Sequence, residues 1–173
     1  MPGNLQKTPR RPPTSSQSKV LPGAGLTPYG IYLLGRSFED AGNAVMLHQK
    51  RPFSDHPARL LFLHAIETFL RAYLRLHGVE PAELRAYMHD TQKMLIAATA
   101  KGLVLDPRTV KYVAATSDEG DYVRVRYDYD LRSLSDTWPD VSARPRRINH
   151  LVSAVAGLRV AVRDVLRATG IEA

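Results

Sequence analysis

The sequence predicts an all-α fold: an up-down bundle of about five helices, with a short extended segment or hairpin before the last one. Three observations carry that prediction. Apolar residues recur at three- and four-residue spacing through most of residues 28–168, as helix faces require. Start and stop residues punctuate those runs. Only Gly120 to Leu131 alternates with period two.

The elements follow in order. Thr27-Pro28 starts the first helix, a capping hydroxyl followed by proline at the first helical position. Ile31, Leu34, Phe38, Ala41 and Val45 form its stripe, and it should end near Gln49. Gly30, Gly35 and Gly42 weaken it, so it must depend on packing. Ser54-Asp55-His56-Pro57 opens the second helix, which runs to His77 with Gly78 as its stop. A short helix from Pro81 to Tyr87 comes next, then one capped by Asp90 or Thr91 and ending at Gly102. Asp106-Pro107 starts another, through about Ser117. In the alternating segment, Val123, Val125, Tyr127 and Tyr129 oppose Arg124, Arg126, Asp128 and Asp130. A lone hairpin is marginal, so it should lie on the helices. The last helix begins near Pro145 and runs to Ala168.

Composition bounds the function. Residues 1–27 hold five of the twelve prolines, no acidic residue, and Lys7, Arg10, Arg11 and Lys19. They read as a disordered basic tail, because such a segment cannot bury enough apolar surface to offset its ordering entropy. Residues 28–170 are expected to form one helical domain. Net charge is +7, and removing the tail leaves about +3. That balance suits an anionic partner such as RNA or DNA. The chain has no cysteine, which excludes disulfides, thiolate catalysis and Cys-ligated zinc. The tail lacks the apolar run of a secretory signal, and no run is long enough for a membrane span. A cytoplasmic protein with no membrane contact is expected.

Two charged residues interrupt apolar stripes. Glu67 falls among Leu60, Leu63, Ile66, Leu70, Tyr73 and Leu74. Arg159 falls among Ile148, Leu151, Val152, Val155, Leu158, Val162 and Leu166. A buried carboxylate needs a partner or a raised pKa. Glu67 is therefore expected to meet Arg159, or to bind His89 or a capping amide. Glu67, His89, Asp90 and Arg159 read as structural buried polar residues. His64 precedes Glu67 by three residues, a spacing that can place two metal ligands on one face. His64 followed by His89-Asp90 resembles the ligand order of HD phosphohydrolases, for which Asp164 or Asp130 would have to supply the last ligand. A cap explains Asp90 without a metal, so neither metal nor cofactor is expected. Ala154, Gly157, Ala161 and Ala168 form a strip of small residues on the last helix, with His150 at its head. A second helix of this chain or a symmetry mate could lie there.

These residues resemble the HEPN family of small helical domains. The matching pattern is His64-Ala65-Ile66-Glu67, Phe69-Leu70-Arg71-Ala72, Tyr73-Leu74 and Gly78, then His89-Asp90, Leu95 and Gly102-Leu103. Thr91 stands where leucine is usual, and Arg126-Tyr127 is similar to an Arg-Tyr pair found between the later helices. The resemblance covers about residues 30 to 168. It implies a dimer and one of three roles. The first is a module that binds nucleotide or RNA, or pairs with a nucleotidyltransferase-type partner, in a defence or toxin–antitoxin setting. Arg126, Arg144, Arg146 and Arg147 would then hold phosphates, with Tyr127 available for base stacking. The second is a metal-independent endoribonuclease. Arg144 and His150, with five residues between them, match the Arg and His of active members. Arg would stabilise phosphate charge and His would move a proton. Pro145 follows Arg144, where active members tend to carry a polar residue. The third is an interaction scaffold without a ligand.

Overall fold

The computed structural model describes residues 27–48, 55–118 and 143–171, and of residues 118 and 143–147 only the backbone. The tail over residues 1–26 lies outside the described residues. So does the alternating segment from Gly120 to Leu131, with Arg126 and Tyr127. The described chain is an all-α bundle: α1 (Pro28–His48), α2 (His56–Leu76), α3 (Pro81–Ala86), α4 (Thr91–Ala100), α5 (Pro107–Asp118) and α6 (Ala143–Ala168). No strand occurs among the described residues, and none of their helices is long and apolar enough to cross a membrane.

Local chemistry sets the helix ends. The Gly30 amide donates to Thr27 Oγ1 at 3.0 Å, so the threonine before proline caps α1. Gly78 has φ +79° and Gly102 φ +93°, the left-handed conformation in which glycine stops a helix without steric cost. Asp90 caps α4 by accepting from the Lys93 amide at 2.9 Å. Asp106 caps α5, accepting from the amides of Arg108 and Thr109 at 2.9 and 3.0 Å and from the Thr109 hydroxyl.

The core is built around α2, which packs against α1, α4 and α6 and touches α3. Phe62, Ile66, Phe69, Leu70, Tyr73 and Leu74 are buried along it, and Leu151, Val155, Leu158, Val162 and Leu166 meet them from α6. Each large side chain so buried contributes roughly 1.5–3 kcal/mol relative to exposure. α1 corrects the expected stripe. Leu34 and Ala41 are exposed, whereas Tyr32, Gly35, Glu39 and Gly42 are buried. The two glycines decide which face turns inward. A Cβ at Gly35 would lie 2.7 Å from the Phe69 ring, and one at Gly42 would lie 2.9 Å from the Phe62 ring. α1 therefore presents its glycine face to two phenylalanines of α2, and the helices approach closely because no Cβ intervenes.

Residue pairings set the directions. α1 and α2 run antiparallel, since Tyr32 meets Phe69 and Phe38 meets His64. α2 and α4 run parallel. Glu67 meets His89 just before α4, and the Tyr73 hydroxyl donates to the Lys101 carbonyl just after it, at 3.0 Å. α3 and its flanking turns carry the chain back between them. This modifies a plain up-down order at one step.

Candidate functional site

Three polar arrangements stand out, two inside the bundle and one at the head of α6. The first joins α2 to the turn before α4. Glu67 is only 7 % exposed. Its Oε1 accepts from Arg71 Nη2 at 2.8 Å, and its Oε2 lies 3.0 Å from His89 Nδ1. The same Arg71 nitrogen donates to the Met88 carbonyl at 2.8 Å. Met88 has φ +52°, the one non-glycine residue among those described with positive φ. A side chain there costs roughly 1–2 kcal/mol, so Arg71, itself held by Glu67, pins a strained turn. Asp90 follows at once. Besides the Lys93 amide it accepts from Ser117 Oγ at 3.0 Å and pairs with Lys93 Nζ at 3.0 Å. The capping bond from Lys93 is the main cause holding its carboxyl below the ordinary aspartate range.

Of the expected partners of Glu67, the structure brings His89 to it and not Arg159. Arg71, one helical turn beyond Glu67, is a further partner, and the Glu-to-Arg spacing of four residues is its signal in the sequence. His89 is not a core residue: 45 % of its side chain is exposed, and Glu67 holds it from beneath.

The second arrangement corrects the expectation for Arg159. Its Nε donates to Glu39 Oε1 at 3.2 Å and lies 3.0 Å from Oε2, joining α6 to α1. Burial raises the Glu39 pKa above the usual glutamate value, with Arg159 opposing that shift. The apolar spacing of α1 does not reveal Glu39, because the stripe it defines lies one residue off the true inner face. The signal was available, since Gly35 and Gly42 flank Glu39 at helical spacing.

His64 stacks on Phe38, with ring centroids 5.1 Å apart and planes 20° apart, which gives it a packing role at the α1–α2 interface. Among the described residues, no three His, Asp or Glu side chains converge as a metal ion requires.

The third arrangement is at the head of α6. Arg144, Arg146, Arg147 and His150 all fall within this helix. His150 is exposed, and its ring meets Tyr112 of α5 edge-on, with centroids 6.4 Å apart and an 80° interplanar angle. The side chains of the three arginines lie outside the described residues. The helix itself constrains them. Six residues of α-helix put positions 144 and 150 about 9 Å apart along the axis and about 120° apart around it. Positions 146 and 147 sit one turn before His150 and close to its side of the helix. The small-residue strip below is covered from within the chain. A Cβ at Gly157 would lie 3.1 Å from Thr109 Oγ1 and 3.7 Å from Asp106 Oδ2, so the start of α5 occupies that part of the strip. α5 and α6 thus run antiparallel, from Thr109 at Gly157 to Tyr112 at His150.

No protein-family model matches the chain, nor does any curated protein or solved structure.

Proposed function

We propose that the chain is a HEPN-like module that binds RNA or nucleotide phosphates at the head of α6 without cleaving them. One observation carries this reading. α6 opens with Arg144, Arg146 and Arg147, has no acidic residue in its first turn, and exposes His150 on the next turn. A helix amino terminus already bears partial positive charge, so stability alone favours acidic residues there. Three arginines at that end oppose the macrodipole and suit an anion. The charged residues within the bundle have structural partners instead: Glu67 with Arg71 and His89, and Glu39 with Arg159. The expected phosphate contact at Arg126 and base stacking at Tyr127 belong to the same proposal. Such a module would work beside a partner protein, as the resemblance implies.

The test is retention of a labelled single-stranded RNA by fluorescence anisotropy across a salt series. Affinity should fall steeply with salt, and Arg146→Ala with Arg147→Ala should weaken binding and flatten the slope by roughly 0.7 per lost phosphate contact. Absence of binding at about 50 mM salt would refute the proposal. The ribonuclease reading is separated in the same tubes. Cleavage that persists in EDTA and disappears in His150→Ala would establish it in place of simple binding.

A further inference from the structure

The seam between α5 and α6 ends in a pair of rings. Tyr112 is half-buried, and the imidazole of His150 is exposed beside it with the centroids 6.4 Å apart. One residue further on, Val113 is fully buried, so the seam passes at Tyr112 and His150 from the core to the surface. On α5, Arg108, Lys111 and Tyr112 fall within an arc of about 100°, and Arg108 and Lys111 are both exposed. Two ring systems, one open to water, thus share a face with two cations of α5. The combination has a specific chemical use. Single strands are held by rings that stack on unpaired bases and by cations that follow the phosphate backbone. A duplex hides its base faces and cannot use the rings.

We infer that the exposed imidazole of His150, held edge-on by Tyr112, stacks on one base of single-stranded RNA, with Arg108 and Lys111 contacting the adjacent phosphates. This rests on the RNA-binding reading above. It adds α5 to the surface and selects single-stranded over double-stranded RNA.

The probe is a 12-nucleotide single-stranded RNA carrying 2-aminopurine, whose fluorescence is quenched when the base stacks, set against the same sequence as a duplex. The wild-type chain and Tyr112→Phe should bind the single strand in preference and quench the probe. His150→Ala and Tyr112→Leu should each weaken binding roughly tenfold while leaving the salt slope unchanged. Arg108→Ala and Lys111→Ala should lower that slope. Salt-dependent binding with full affinity in both ring variants would overturn the stacking step and leave the phosphate reading intact. No RNA binding by the wild type would overturn both. Equal affinity for the duplex would overturn the choice of single strands. Circular dichroism checks the fold of Tyr112→Leu; should that variant unfold, exposed His150 decides alone.

Discussion

Replacing Glu67 with alanine tests the central tie of this bundle. The substitution removes the acceptor for Arg71 and His89 together. Breaking a fully buried ion pair by deleting one partner costs about 3–5 kcal/mol, because the remaining charge is left unpaired. Two features lower that figure here. Arg71 keeps the Met88 carbonyl as an acceptor, and the side chains of Arg71 and His89 are 25 % and 45 % exposed, so water can replace the carboxylate. A loss of about 2 kcal/mol remains. For a folded region of this size, each kcal/mol moves Tm by about 3–5 °C, so Tm should fall by about 6–10 °C. Glu67→Gln keeps the shape and one acceptor oxygen, and should lose about half as much. Urea unfolding followed by far-ultraviolet circular dichroism measures both variants. Combining Glu67→Gln with His89→Gln completes a double-mutant cycle, whose coupling should exceed about 0.5 kcal/mol. An alanine variant within about 0.5 kcal/mol of wild type would refute the reasoning, since surface substitutions commonly fall in that range.

Four further predictions follow from other sites. Gly35→Ala should destabilise by about 1–2 kcal/mol in urea titration, because the clash with the Phe69 ring outweighs the roughly 1 kcal/mol gain in helix propensity; a net gain would show that α1 can shift away from α2. Asp90→Ala should cost about 1 kcal/mol at pH 7. The folded pKa of Asp90 is depressed, so its contribution is present above the unfolded value and is lost as pH falls; the difference from wild type should shrink below about pH 3.9, and a constant difference would refute the cap. Glu39 runs the other way: burial raises its folded pKa above 4.5, so the folded chain binds more protons than the unfolded one in the window above that value, and ionisation there costs stability. Arg159→Met should therefore cost more at pH 7 than near pH 4.5, and a pH-independent cost would contradict the pairing. Met88→Gly should raise stability and Met88→Val should lower it, each by roughly 0.5–1 kcal/mol, if the positive φ is retained; equal stability of the two would show that the turn relaxes.

The sequence located the helices well because their boundaries rest on local chemistry. Thr27-Pro28, Gly78, Asp90, Gly102 and Asp106 each act within one turn of themselves, through a cap or a left-handed residue. The α6 stripe was legible for the same reason, since its spacing is set by the helix alone. Partner choice was less legible. Glu67 could be identified as a core carboxylate, yet Arg159, His89 and a capping amide all satisfied the same electrostatic need. Packing selected His89, because the parallel run of α4 beside α2 brings the turn before α4 to the level of Glu67.

By itself, then, the sequence determined an all-α bundle, its helix ends, and the presence of charge within two apolar faces. Periodicity and capping are properties of a few consecutive residues. Only the tertiary structure decided that Arg159 belongs to Glu39, that α5 covers Gly157, and that Tyr112 meets His150. Each of those contacts joins segments far apart in the chain. Their pairing depends on which helix faces can approach most closely, and glycine side chains too small to intervene settle that at α1 and at α6.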